Sequence, residues 1–436
     1  MNVNEINSAL LSGYTEGKGL FPHLERLEKA RFRFNMDFGL ATLPEEPGIL
    51  LVRGARQYGK STWLEGCIRD SIIKFGPGCA FYLNGDFSGS DQELEDSIRG
   101  VCGLYPVASR VRRLFIDEIT AVKGWQKVLK RLWDSGDLEN VLVITTGSKA
   151  SDLMRGTERL PGRKGRLSRT TYLFTPVPFH EFNRVCGEVL GGETLDAYAL
   201  TGGCPAACSE IAGTGALPAY IVEMIRDWIF GEFAAAERNR TSLIHVVECI
   251  IRRGGTPLGQ YKLAKEAGLA NNTLAAEYTR LLVELLCVGR GFQWDARTDA
   301  AIPRKPEKIH FINTLVAAAF HPAAPRSPAE LRALSPEARG AWHEWIVAQE
   351  LWRRAAIAGA EIPEQLPFWG SKEHEIDFIN DRSTFLEVKS GLASPMEFTW
   401  FQKTFPKKSL KVVNAGRFDA GSIQGIPLMD FLMEAS

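Results

Sequence analysis

Apolar and polar positions change period several times along the chain, and each change marks an element. Ile49 to Val52 is a continuous apolar run, followed at once by a glycine-bracketed turn and a helical pattern from about Lys60. Similar runs recur at Cys79-Ala-Phe-Tyr-Leu-Asn-Gly-Asp86, Arg112-Arg-Leu-Phe-Ile-Asp-Glu-Ile119 and Asn140-Val-Leu-Val-Ile-Thr-Thr-Gly-Ser148. Between them lie a charged helical stretch to about Leu104 and a helix from about Trp125 to Ser135. Strand-like runs alternating with helices at this spacing predict a parallel sheet covered on both faces, with ligand at the carboxyl ends of its strands. Upstream, Leu24 to Arg31 reads as a short amphipathic helix, broken before the first strand by Pro44 and Pro47.

The middle of the chain is helical. Gln260 to Leu286 reads as one helix, a turn at Gly268 and a longer helix from Asn272 or Thr273, followed by a strand-like Lys308-Ile-His-Phe-Ile312. That order suits a winged helix-turn-helix. His321 to Arg339 carries Pro322, Pro325, Pro328 and Pro336 and reads as a linker between domains. Beyond it, a helix over 340–352 precedes two alternating stretches, His374 to Ile379 and Thr384 to Ser390, joined by a hairpin turn at Asn380-Asp-Arg-Ser383.

At 436 residues, with 45% hydrophobic and 24% charged content, the chain exceeds one compact core. Lys plus Arg equals Asp plus Glu at 52 each, so a nucleic-acid surface has to be a local patch. The eight cysteines form no C-x-x-C pair, which points away from a zinc site or disulfide framework and towards reduced thiols in a cytoplasmic setting. No run of about 18 apolar residues is present, and Met1-Asn-Val-Asn-Glu lacks a signal pattern, so no membrane partner is expected.

The first chemical motif sits at the first strand's end. Gly54, Gly59, Lys60 and Ser61 form G-x-x-x-x-G-K-[ST] between a strand and a helix. The glycines allow successive N–H groups of Ala55, Arg56, Gln57 and Tyr58 to aim inward, and the helix start at Lys60, Ser61 and Thr62 adds its positive end, so the turn is a nest for ATP phosphates. Lys60 would reach the β- and γ-phosphates and Ser61 would bind Mg²⁺. Asp117 and Glu118 end an apolar strand in the manner of a Walker B element, Asp117 for the Mg²⁺ shell and Glu118 to polarise the attacking water. Thr146 and Ser148 close the strand expected beside it, where a hydroxyl can sense the γ-phosphate, although a plain Gly-Ser turn explains them nearly as well. In Arg159-Leu-Pro-Gly-Arg-Lys-Gly-Arg166, Arg163 and Arg166 are candidates for an arginine finger acting in trans, against a solvated basic loop.

The second constellation lies near the carboxyl terminus. Strand residues at i and i+2 share a face, so Glu387 and Lys389 point together, as do Glu375 and Asp377. Two adjacent strands can thus bring Asp377, Glu387 and Lys389 to one spot, as Mg²⁺-dependent phosphodiester cleavage requires. On the helix before them, Glu344 lies beside the apolar stripe of Trp345 and Trp352 and is the favoured third acid; Glu350, nearer the polar side with Arg354, is held in reserve. A solvated, charge-paired hairpin is the alternative.

These residues resemble a known family. The phosphate loop, Asp117-Glu118 followed by Trp125, the Thr-Gly-Ser strand end, Leu160-Pro-Gly-Arg163, Pro176 to Phe182 and Thr201-Gly-Gly-Cys-Pro205 look like an AAA_14-type AAA+ ATPase with a C-terminal DUF4143 region. Cys204 stands where family members often carry an aromatic residue. The resemblance implies an α/β fold with a P-loop AAA+ parallel sheet core, a helical winged-helix lid and a C-terminal α/β restriction-endonuclease-like domain. The expected division is a segment 1–48, an ATPase domain 49–215, a lid 216–320, a linker 321–339 and a PD-(D/E)XK-like domain 340–436. It implies ATP and Mg²⁺ as cofactors, a homo-oligomer, and nucleic acid as partner, DNA ahead of RNA. The expected activity is ATP hydrolysis that controls a DNA nuclease, in defence against or processing of foreign DNA. The alternative is an ATP-driven switch whose nuclease-like domain does not cut.

The second helix of the 260–286 pair has two readings. It enters a major groove, supported by Arg252, Arg253, Lys262 and Lys265, or it is a lid that transmits the nucleotide state, since Leu and Ala dominate it and Glu277 and Glu284 offset Arg280. Lys403, Lys407, Lys408 and Lys411 form a further cationic run, and Gln402 is a candidate positioning residue.

Overall fold

The computed structural model describes residues 1–147, 167–302, 304–381 and 383–434, and divides into two compact units, Met1–Thr175 and Pro176–Ser436. In the first unit, helices α1 (Val3–Leu11) and α2 (Pro22–Lys29) precede β1 (Gly48–Gly54), α3 (Lys60–Phe75), β2 (Ala80–Asn84), α4 (Asp91–Cys102), β3 (Arg113–Asp117), α5 (Trp125–Asp134), β4 (Leu142–Gly147) and β5 (Thr171–Phe174). The five strands form one sheet in the order β2-β3-β4-β1-β5, and every pairing is parallel. Both faces are apolar, which is why the strands read as continuous hydrophobic runs. Ile49, Leu51, Phe81, Leu114, Ile116 and Val143 pack on one side against Leu94 and Ile98 of α4 and Val128, Leu129 and Leu132 of α5. Leu50, Val52, Ala80 and Phe115 alternate with them and are likewise buried.

Because β4 lies between β1 and β3, the phosphate loop and Asp117 open at the same carboxyl edge with Thr146 between them. The sequence pattern left α1 unread. It borders β2, where Asn7 donates from Nδ2 to the Tyr82 carbonyl and accepts the Tyr82 N–H, both at 2.8 Å. A side-chain amide thus pairs the backbone of an edge strand that would otherwise present free groups.

The second unit begins with α6 (Phe179–Leu190), α7 (Thr194–Thr201), α8 (Pro205–Thr214), α9 (Ala219–Ala235), α10 (Arg240–Arg252), α11 (Gln260–Glu266) and α12 (Asn272–Glu284). Strands β6 (Val288–Gly291), β7 (Trp294–Asp295), β8 (Ala300–Ala301) and β9 (Lys308–Phe311) follow, with β6 and β9 antiparallel. Helix α13 (Thr314–Phe320) leads into the proline-rich stretch. That stretch holds α14 (Pro328–Arg332) and the first turn of α15 (Pro336–Ile357), each started by a serine cap followed by proline, Ser327 and Ser335. The long helix therefore begins four residues before the expected Gly340.

The remainder comprises β10 (Trp369–Gly370), β11 (Glu375–Ile376), β12 (Phe378–Ile379), β13 (Thr384–Val388), α16 (Thr399–Thr404), β14 (Ser409–Asn414), β15 (Phe418–Ala420), β16 (Ile423–Pro427) and α17 (Leu428–Met433). Its main sheet has the order β12-β13-β14-β16-β15, parallel at the centre and antiparallel at both edges. Phe385, Phe401, Phe405, Leu410, Val412 and Ile423 form the core on which this sheet rests.

Candidate functional site

The phosphate loop is shaped by close packing on one side and a backbone turn on the other. A Cβ on Gly54 would lie 2.8 Å from the Cβ of Phe174 on β5, so only glycine fits there. Gly59 takes φ 95°, the left-handed conformation glycine adopts without strain, and caps α3. Gly54→Ala is accordingly expected to cost about 1–3 kcal/mol through overpacking, read as a lowered melting temperature.

Lys60 is the first residue of α3 and is 5% exposed. Its Nζ donates to the carbonyls of Gly54 at 3.1 Å and Ala55 at 2.9 Å. Burial pushes its pKa down, and the nearby Glu118 and Asp117 oppose that. The Asp117 carboxylate, 4% exposed, accepts from the Thr146 hydroxyl and, at 3.1 Å, from the Glu118 N–H, which also meets Thr146 Oγ1 at 3.2 Å. Glu118 is held at φ 46°, a left-handed conformation costly for a residue with a Cβ and typical of functional turns. Ser61 and Thr62 are half-buried, Ala55 and Tyr58 buried, and Arg56 and Gln57 exposed. The Ser61 hydroxyl and Asp117 carboxylate are hard oxygen donors of the kind Mg²⁺ takes, so the donor set fits that ion. Ser148, Arg163 and Arg166 lie outside the described residues.

The second constellation is built within the second unit. Asp377 leaves β11 and accepts the Val388 N–H at 2.8 Å, while its own N–H meets Glu387 Oε2 at 3.3 Å. Lys389 Nζ is 2.6 Å from Glu387 Oε1, as the shared strand face requires. Glu344 on α15 faces the same cluster. A residue without an assigned role in the sequence stands at its centre: Lys308 of β9, fully buried, whose Nζ lies 2.6 Å from Glu375, 2.7 Å from Asp377 and 3.3 Å from Glu344. Burial alone would lower the Lys308 pKa, but the three carboxyl groups outweigh it and hold the ammonium charged above its usual range. His310, two residues on and on the same face, is buried with Nδ1 3.5 Å from Glu344 Oε1, and burial beside Lys308 holds its pKa well below the ordinary value.

Glu344, Asp377 and Glu387, expected as Mg²⁺ ligands, thus gather around two ammonium groups. A divalent cation does not fit beside Lys308 as placed, because the carboxyl oxygens it would take already surround Nζ. Among the described residues no group of three or more His, Cys, Asp or Glu side chains is placed to hold a metal ion. Glu350 points elsewhere and is not on a polar side: it is buried and accepts from Arg353 at 2.8 Å and Arg354 at 2.6 Å, two guanidiniums that offset its desolvation. Gln402 donates to Ser422 at 3.1 Å.

Two carboxyl groups of the cluster titrate far from their usual range. Burial, reinforced by Asp377 and opposed by Lys308, pushes Glu344 up from 4.5 to about 8. Burial and Asp377, opposed by Lys389, do the same to Glu387, also to about 8. Each folded value lies above the unfolded one, so the folded chain keeps protons the unfolded chain has released. The stability this contributes is complete below about pH 4.5, declines as pH rises and is lost above about pH 8. The melting temperature is therefore expected to fall between pH 6 and 9, and to fall less in Glu344→Gln.

The family match lies mostly in the first unit. Residues 46–183 match the AAA_14 family, an AAA domain. An uncharacterized protein of Methanocaldococcus jannaschii is 27% identical over 138 residues, a match covering 30% of this chain and 28% of that protein. The Walker-type ATPase of Pyrococcus abyssi superposes with a TM-score of 0.42 at 14% identity, over 70% of this chain and 97% of that one. The Cdc6p structure from Pyrobaculum aerophilum gives a TM-score of 0.27 at 11% identity, over 72% and 97%. The family match spans the first strand, the phosphate loop and the Asp117-Glu118 strand end, so this part of the chain is similar to an AAA domain. No helix among the described residues is long and apolar enough to cross a membrane.

Proposed function

We propose that the chain is an Mg²⁺-dependent ATPase whose nucleotide state controls a nuclease-like C-terminal region that engages nucleic acid, DNA ahead of RNA, within a homo-oligomer. The observation that carries the ATPase reading is the convergence of Lys60, Asp117, Glu118 and Thr146 at one edge of the parallel sheet. ATP phosphates entering the loop give the Lys60 ammonium anionic oxygens in exchange for the Gly54 and Ala55 carbonyls. Ser61 and Asp117 would hold Mg²⁺, which when bound offsets charge on the β- and γ-phosphates. Glu118 orients the attacking water, and the Thr146 hydroxyl ties Asp117 and the Glu118 backbone together, so the acids move as one group.

The nucleic-acid reading draws on two features of the second unit. Helices α11 and α12 followed by antiparallel β6 and β9 have the order of a winged helix. Arg253 and Arg252 there are held by Glu266, the former at 3.1 Å and the latter at 3.7 Å, whereas Lys262 and Lys265 are exposed. The Asp377 and Glu387-x-Lys389 arrangement on paired strands resembles a PD-(D/E)XK centre, and the Lys308 ammonium within it favours a resting state that does not cut.

The test follows phosphate release and cleavage together, with duplex DNA, single-stranded DNA and RNA, in wild type and Lys262→Glu/Lys265→Glu. DNA is expected to change the ATPase rate in wild type and to lose that effect in the double variant. An ATPase rate that ignores every nucleic acid would remove the partner and leave the ATPase.

A further inference from the structure

Lys308 is an unusual companion for a carboxyl cluster. It is fully buried, and it reaches Glu375, Asp377 and Glu344 from a different element than any of them, β9 against β11, the strand end after β11, and α15. Its three contacts, at 2.6, 2.7 and 3.3 Å, occupy oxygens that a hard divalent cation would use. The neighbouring positive charge of Lys389 is engaged by Glu387 and leaves those oxygens alone. His310, on the same face of β9, supplies no further charge.

We infer that Lys308 is a tethered counter-ion that takes the place of a divalent metal among Glu344, Glu375 and Asp377, so that this cluster binds metal only when the ammonium leaves. The inference rests on reading the C-terminal region as nuclease-like and names what would be controlled there. An ammonium and a divalent cation a few ångströms apart repel strongly in a buried site, so occupancy is exclusive. Strand β9 pairs with β6 and precedes α13, whereas two of the three acids, Glu375 and Asp377, lie among the C-terminal strands. A shift of β9 relative to those strands therefore withdraws the charge and frees the oxygens in one movement.

The test is a calorimetric titration with Mn²⁺ on the full chain without nucleotide, comparing wild type, Asp377→Asn, Lys308→Gln and Lys308→Gln/Asp377→Asn. Binding at the phosphate loop is common to all four and cancels. Wild type and Asp377→Asn are expected to give the same isotherm. Lys308→Gln is expected to gain one Mn²⁺ equivalent, at least about tenfold tighter than any wild-type binding, and to lose it when Asp377 is also changed. Asp377-dependent Mn²⁺ binding in wild type would overturn the inference, as would a folded Lys308→Gln that gains none. If Lys308→Gln does not fold, the wild-type and Asp377→Asn pair decides alone: identical isotherms uphold exclusion of metal and different ones overturn it. Nucleic-acid binding by fluorescence anisotropy on the same proteins reads the nuclease-like assignment separately, so the two can fail independently.

Discussion

Lys60→Met is expected to lower the ATP hydrolysis rate by roughly 10²–10³-fold, the usual cost of deleting one preorganised charge from a transition-state cradle. Lys60 is 5% exposed, and among the described residues its ammonium donates to the Gly54 and Ala55 carbonyls, so it is poised to exchange weak neutral acceptors for phosphate oxygens. The contrast with Glu118→Gln makes the result specific. Glu118 is half-buried at the turn after β3 and is assigned to the attacking water, so the glutamine variant is expected to keep nucleotide affinity while hydrolysis falls by roughly 10²–10⁴-fold. Binding of a fluorescent ATP analogue alongside steady-state phosphate release separates the two. Equal loss of affinity in both variants would remove Glu118 from the water and place it in the cradle. Loss of neither activity in Lys60→Met would remove the ATPase assignment for this loop.

The first unit was largely legible because its signals are local. An apolar strand, a glycine turn and a helix start lie within twenty residues, and β-strands buried on both faces read as unbroken apolar runs. Even the place of Thr146 follows from strand order once β4 is set between β1 and β3. Helix α1 went unread although Asn2 and Glu5 form a capping box at its start, and its side-chain amide pairing with Tyr82, 75 residues away, is something no periodicity encodes. Glu350 was assigned to a polar side because helical angle alone placed it near Arg354. Arg354 in fact turns to the Phe431 carbonyl at 2.7 Å, so that side of α15 is covered by α17 and its charges are paired there. Lys308 carried a signal that pattern reading can use: Lys308 and His310 alternate with Ile309 and Phe311, which puts two titratable groups on one face of a short strand. What the pattern lacks is the partner, since Glu344 and Asp377 are 36 and 69 residues away.

That buried partnership also has the largest expected effect on stability. Lys308→Met should destabilise the folded state by about 3–5 kcal/mol, because it leaves carboxyl groups in a desolvated site with no opposite charge. Hydrogen exchange at the β9 and β13 amides reads the loss locally and avoids treating a chain of two units as one transition. The cause is distinguishable from simple loss of packing, since methionine fills much of the lysine volume. If uncompensated charge is responsible, Lys308→Met/Asp377→Asn/Glu375→Gln should recover much of the lost protection, the coupling being non-additive as for any groups in one network. If the lysine stem is what matters, the triple variant should be as loose as Lys308→Met or looser. The pH dependence separates them again. Lowering the pH from 8 towards 5 protonates Glu344 and Glu387 and stabilises wild type as well, so a charge penalty should show as a gain in β9 protection larger in Lys308→Met than in wild type, and a packing defect as the same gain in both.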